Sequence, residues 1–393
     1  MQIHQEVFMA DSKLFILCVL LITMGTIMSF SLSTYPAIYY HYGEFHFFIR
    51  EFFAASLGIF LMWGFSYLDM DKIFNSLGFF IFGVFFVISI VLLFLPESIA
   101  PVTGGAKRWI HFLGFSLAPV EFFKIGFVFF LAWSFSRKID KEDTLGEQIK
   151  KIIPYLVVFA LIVLIFTFFQ NDFGQTFLLL VVFVVLLALS GGRLLLIFSF
   201  LFAALTGGSL LIAIYPHRME RIRLWWGVFQ DSILNYLPSN LASLIRIENV
   251  PEPYQIHNAG YAIFHGGFFG QGIGEGIVKL GFLSDVHTDM VLAGLSEEMG
   301  LVGFLLCLMI FMFIIFRILR IANRMEEKPH FLFCMGICLL LGGGFFINAL
   351  GVTGVIPLKG IAVPFLTYGG SSMLANCIAI GIVLALSKKA KNL

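Results

Sequence analysis

The chain has 393 residues, of which 59% are hydrophobic and only 12% charged, and its formal net charge is +1. A soluble domain carries about 25% charged residues, so this composition excludes a soluble globular protein and marks an integral membrane protein. The near-neutral balance carries no nucleic-acid footprint, and no nucleic-acid partner is expected. The apolar runs are about twenty residues long rather than alternating strands of about ten, which predicts an all-α membrane protein. The 49 phenylalanines suit a lipid-facing surface and its interfaces.

Ten membrane spans are predicted, approximately at 14–34, 47–68, 74–95, 118–136, 154–170, 174–190, 194–215, 289–321, 331–352 and 371–387. The first is too long for the core of a cleavable signal, and no clean small-residue cleavage site follows it. The eighth exceeds the roughly twenty residues that a bilayer requires. Its apolar part begins near Met299, so the stretch before it is expected to line a cavity or stand above the membrane. Arg137, Lys138, Lys141, Lys150, Lys151, Arg193, Arg317, Arg320, Arg324, Lys328, Lys388, Lys389 and Lys391 fall in alternate connections and at the C-terminus. That side is expected to be cytoplasmic, with both termini inside and a cytoplasmic loop at 137–153. Two outward loops follow, at 96–117 and 216–287. The second is by far the largest, and its tryptophans and apolar residues predict that it folds against the membrane. No internal repeat is visible, so residues 1–393 read as a single membrane domain.

Chemistry-bearing residues gather in a few places. Lys107, Arg108, Arg218, Arg221 and Arg223 lie in the outward loops, against the positive-inside bias. Arginine forks match phosphate oxygens, so a pyrophosphate partner would explain them, as would headgroup anchoring. Glu121 and Lys124 are three apart just inside span four, where they share a helix face; either an intramembrane functional pair or a structural clamp fits. Asp172, in the turn Asn171-Asp172-Phe173-Gly174, reads first as a cap or turn residue. A glycine-rich run, Gly266–Gly276, precedes His287-Thr288-Asp289 and then Glu297-Glu298. Asp289 can be a general base at a low-dielectric rim, and Thr288 or Asp289 can equally cap the eighth span. The two glutamates either face a cavity or a cation, or sit in interfacial water. Pro357-Leu358-Lys359-Gly360 and Pro364 to Ser372 cannot continue a helix; irregular backbone at such a depth is tolerated where it is buried in protein or lines a wet cavity. Cys18, Cys307, Cys334, Cys338 and Cys377 all lie in apolar runs without metal-binding spacing, and read as small buried hydrophobes.

Taken in order, Pro119-x-Glu121-x-x-Lys124, Asp172-x-Gly174, the Gly266–Gly276 run, His287-Thr288-Asp289 with Glu297-Glu298-x-Gly300, and Tyr368-Gly369-Gly370-Ser371-Ser372 resemble the SEDS family (shape, elongation, division and sporulation) of ten-span peptidoglycan polymerases. The resemblance covers nearly the whole chain. Gly105-Ala106-Lys107-Arg108-Trp109 and Pro357-Leu358-Lys359-Gly360 are similar to the cell-division branch, FtsW, rather than the elongation branch, RodA. There are departures: Asn171 stands where the family usually has Pro, Thr367 replaces Ser, Met290 replaces Phe, and the stretch 224–253 is longer than expected.

The resemblance implies a glycosyltransferase of the bacterial cytoplasmic membrane that joins lipid II into glycan strands at the septum. Asp289 matches the family's proposed general base. Lys107, Arg108, Arg218 and Arg221 become candidates for holding the departing pyrophosphate, with a divalent cation, Mg or Mn, able to share that role. His287, Thr288, Glu121, Lys124, Tyr368, Ser371 and Ser372 are further candidates for substrate binding. The implied partners are a class B penicillin-binding protein and other membrane proteins of the division machinery. A lipid II flippase and a division scaffold are the alternatives.

Overall fold

A computed structural model describes residues 10–103, 105–112, 115–140, 142–247 and 254–390. Lys141, Lys391 and the last part of the long stretch 224–253 lie outside these residues. The helices in chain order are α1 Ser12–Leu32, α2 Thr34–Tyr39, α3 His46–Ser66, α4 Met70–Phe94, α5 Pro119–Lys138, α6 Leu145–Val163, α7 Phe173–Leu189, α8 Leu194–Ile214, α9 Pro216–Leu234, α10 Ser239–Ile245, α11 Tyr254–Gly266, α12 Val291–Ala322, α13 Lys328–Val352 and α14 Gly370–Ser387. Among the described residues nine helices are long and apolar enough to cross a membrane, and α7 is a shorter apolar helix of 17 residues. Each coincides with a predicted span, so the chain is a multi-pass membrane protein.

The bundle is built around α5, α13 and α14, whose apolar stretches are mostly buried. Phe123, Phe127, Phe129 and Phe135 of α5 are fully enclosed, whereas Phe198 and Phe202 of α8 lie open on the flank. Phenylalanine therefore fills the core as well as the lipid-facing surface. Small residues let helices approach where no lipid-exclusion force operates. A Cβ on Gly126 of α5 would strike the backbone of α4 at Phe82, and one on Gly381 of α14 would strike α3 at Met62 and Phe65.

Two elements differ from expectation. The fifth crossing begins at Leu145 rather than Pro154, because Thr144 and Glu147 form a capping box that starts the helix nine residues earlier, in charged sequence that resembles a loop. It ends in a π-helical turn, Leu164–Phe169. The eighth crossing is broken at Gly300, whose φ of 65° and ψ of −170° separate a short buried helix from the apolar crossing proper. At this break Gln271 and Gly272 donate to the carbonyls of Glu297 and Glu298, and Leu301 and Val302 to those of Gly267 and Phe268.

One end of the bundle is tied by Asp11–Arg317, Lys151–Asp143, Lys389–Asp71 and the Lys328 bond to the Ile139 carbonyl. The other end carries the irregular segments. Two small hairpins, Val102–Lys107 and Ile110–Leu117, lie there. So do α9 to α11, the turns 267–290 and the broken strand of chain 353–369. The sequence's candidate residues collect at this second end.

Candidate active site

Asp289 sits in the last turn before α12. The helix cap is Met290, without a side-chain bond, and Thr288 Oγ donates to the Asp285 carbonyl. Capping of the eighth span by Thr288 or Asp289 is thus set aside, which leaves the carboxylate uncommitted to the helix. Its backbone is fixed by Asn348 of α13, whose amide donates 2.7 Å to the Asp289 carbonyl and 2.8 Å to that of Ile361. One buried asparagine therefore joins the turn before α12 to the loop before α14. A second tie is the Tyr368 N–H, which donates 3.0 Å to the His287 carbonyl. Glu51 of α3, almost fully buried, accepts from the Gly369 N–H at 3.1 Å and holds that loop from the other side.

Burial pushes the Asp289 carboxyl up to about 6, with Asp285 and Asp172 raising it further and Arg108 and Lys359 pulling it down. Lys359 is the nearby cation that loop geometry brings in. Burial lowers its ammonium to about 8, opposed by Asp172 and reinforced by Arg221, Arg108 and Arg218. Burial likewise lowers the guanidinium of Arg218. Arg108 donates to the carbonyls of Gln170 and Asn171 at 2.8 and 2.9 Å. Arg218 donates to the Thr167 carbonyl at 3.0 Å and to Asn171 Oδ1 at 3.3 Å, and lies over the rings of Tyr215 and Phe173. Its Nη1 is buried with no partner. Cations held by neutral carbonyls keep their charge available to an incoming anion.

The turn at Asn171 organises this cluster. Asn171 has φ 49°, in the left-handed region that proline cannot enter. Here it accepts from both arginines, while Asp172 caps α7 through Gln175 N and also faces Lys359. The cap reading of Asp172 is right but incomplete.

Gly360 explains its own position. A Cβ there would run into the Asp289 carboxylate. Gly360→Ala should therefore displace that carboxylate, and if Asp289 is the general base that the resemblance implies, a displacement near 1 Å would cost about 10²-fold in rate. Single-turnover glycosyl transfer by this variant, compared at equal thermal stability, checks the expectation.

Several candidates lie elsewhere. Lys107 donates to the Leu95 carbonyl, so its ammonium braces the first hairpin. Ser371 accepts from Ala118 N and donates to the Ser116 carbonyl, both at 2.9 Å, which fixes the start of α5. Glu297 and Glu298, each 1% exposed, do not sit in interfacial water, and Glu298 meets a cation, as one of the two expectations had it. Glu297 accepts from the backbone of Ile277 and Val278 and meets His265. Glu298 pairs with Lys279 at 2.6 Å and accepts from Ser31. They hold the glycine-rich turns onto α12.

Glu121 and Lys124 form an ion pair at 2.8 Å, joined by Gln175. They border a cavity of about 20 Å³ that also touches Ser372 and Asn376. Removing one partner strands a buried charge, so Lys124→Met alone should destabilise the purified protein by about 3–5 kcal/mol and Lys124→Met with Glu121→Gln by less. Additive losses in detergent melting would exclude the coupling. Among the described residues no group of three or more His, Cys, Asp or Glu side chains converges as a metal ligand set.

Comparison with known proteins agrees with this architecture. Residues 12–392 match the sequence model of the FtsW/RodA/SpoVE family, described as a cell cycle protein. A "probable peptidoglycan glycosyltransferase FtsW" of Helicobacter pylori is 50% identical, with 97% of this chain and 99% of that protein covered. Its namesake in Geobacter sp. is 31% identical over 96% of this chain and 97% of its own length. Among solved structures, one described as "Structural coordination of polymerization and crosslinking by a peptidoglycan synthase complex" shares the fold, with TM-score 0.71 and 20% identity over 98% of this chain and 99% of that chain. The rod shape determining protein RodA of Thermus thermophilus does so with TM-score 0.62 and 19% identity, 98% of each chain being covered. With nearly every residue matched and half of them identical in one relative, the chain belongs to the FtsW/RodA/SpoVE family, the SEDS membrane proteins.

Proposed function

We propose that this protein is a peptidoglycan glycosyltransferase that polymerises lipid II, with Asp289 as general base. The observation that carries the reading is a carboxyl raised to about 6 beside a cluster of cations to which, among the described residues, no carboxylate is bonded, all at one end of the bundle. In the reaction a sugar hydroxyl of one strand gives its proton to the Asp289 carboxylate as its oxygen bonds to the anomeric carbon of the other. The bond from that carbon to the lipid diphosphate breaks, and the diphosphate leaves with the electron pair. Lys359, Arg108, Arg218 and Arg221 stabilise the charge that develops there. A divalent ion, Mg or Mn, would be held mainly by the substrate's own phosphates.

The basic residues at the opposite end support placing both termini in the cytoplasm and the site on the outer face of the inner membrane. The names of the relatives support a place at the division septum. The fold neighbour described as a synthase complex supports a class B penicillin-binding protein as partner, alongside other membrane proteins of the division machinery.

Purified protein, reconstituted with that partner and labelled lipid II, tests the reading. Glycan strands from the wild type are the expected product. Movement of lipid II between leaflets without any strand formation would instead identify a flippase, and neither activity would leave a scaffold.

A further inference from the structure

The connection between α1 and α3 carries an aromatic series that no step above uses. Tyr39, Tyr40 and Tyr42 are 62%, 61% and 49% exposed. The rings nevertheless touch in sequence. Tyr35 stacks on Tyr39 with centroids 5.8 Å apart, Tyr39 meets Tyr40 at 5.0 Å, and Tyr40 meets Tyr42 at 6.2 Å. Tyr42 lies flat on His46 at 4.2 Å, and His46 adjoins Phe47. Phe47 then contacts both His287 and Tyr368, at 5.5 and 5.2 Å. The series thus ends two residues from Asp289. At that end His287 Nδ1 is buried with no hydrogen-bond partner, and such atoms are rare unless a ligand or water completes them.

We propose that this series is a binding track for a saccharide strand. The assignment rests on the polymerase reading and extends it by naming where the strand is held while its end reacts. Tyrosine rings offer broad apolar faces with a hydroxyl at the rim. That combination matches a pyranose, whose faces are C–H and whose edges are hydroxyl. Neighbouring centroids lie 4.2–6.2 Å apart in a mixture of stacked, tilted and edge-on contacts, so the series offers ring faces and rims in turn along its length. His287 Nδ1 then meets a hydroxyl or acetamido group of a sugar beside Asp289. A bare row of interfacial tyrosines would anchor in lipid headgroups instead, but it would have no reason to continue inward to an unpaired imidazole.

The test separates this idea from catalysis. The probe is a soluble oligosaccharide of alternating N-acetylglucosamine and N-acetylmuramic acid, titrated onto the Asp289→Asn protein so that nothing is consumed. Tyr39→Ala with Tyr40→Ala should weaken its binding about tenfold, two lost stacking contacts of ordinary strength. Tyr39→Phe with Tyr40→Phe, which keeps the rings, should retain most of it. In the catalytically intact protein the alanine pair should also shorten the product strands. Equal affinity across all three proteins, or no saturable binding of the oligosaccharide, would overturn the proposal. Saturable, ring-dependent binding by a wild type that makes no strands would leave the track standing and sink the polymerase reading.

Discussion

Asp289→Asn should reduce strand formation by about 10²–10⁴-fold, the range expected when a positioned base is removed. The side chain keeps its shape, so the Asn348 amide still holds the backbone carbonyl and the Tyr368 tie to His287 persists. What is lost is the ability to accept a proton. The same substitution should stabilise the fold. A carboxyl whose folded pKa is raised contributes stability below its unfolded value, near 4, and loses it as pH rises through about 6. At neutral pH the buried charge is a net cost, and asparagine removes it. Higher melting temperature together with lost activity is the signature of a group kept for chemistry rather than for packing. A melting temperature lowered by the substitution would say that the carboxylate is structural.

Lys359→Met should cost about 10²–10³-fold in turnover, the usual penalty for deleting one preorganised charge that meets a developing anion. Two effects add. The first is direct, since the ammonium, whose pKa is lowered by burial and then by Arg221, Arg108 and Arg218, would be paired there with the anion of a diphosphate. The second acts through Asp289. Lys359 is one of the two cations that pull the carboxyl down, so its removal raises the base further and leaves less of it ionised at neutral pH. The variant should therefore recover in part as pH rises, whereas Asp289→Asn should not. A loss in Lys359→Met that is independent of pH would exclude the second effect.

Much of this was legible in sequence, for reasons that differ from place to place. Ten apolar runs gave ten helices because hydrocarbon leaves the backbone no alternative. Glu121 and Lys124 were found as a pair because helix spacing alone puts them on one face. Lys359 and Asp172 were visible as motifs but not as site members. Their partners come from turns far apart in the chain, and spacing carries no information about that. Asn348 and Glu51 were invisible: each is a lone polar residue in an apolar run, and only the fold shows which backbone groups it fastens. Glu297 and Glu298 had the opposite fate. Their charge in an apolar setting pointed to a cavity or a cation: Lys279 is that cation for Glu298, whereas backbone N–H groups and His265 hold Glu297. Gly300 hid the break in α12, since glycine in an apolar run is as compatible with close helix packing as with a kink.

The pH dependence of strand formation tests the central assignment most directly, measured on the wild type and on Asp285→Asn. Asp285 is exposed, has φ 56°, which asparagine tolerates, and is the carboxylate that most raises Asp289 after burial itself. The account predicts an acidic limb near pH 6 in the wild type, with activity falling about tenfold per pH unit below it, and the same limb moved to lower pH in Asp285→Asn. A wild-type profile flat through that range, or a limb that Asp285→Asn leaves in place, would contradict Asp289 as the base.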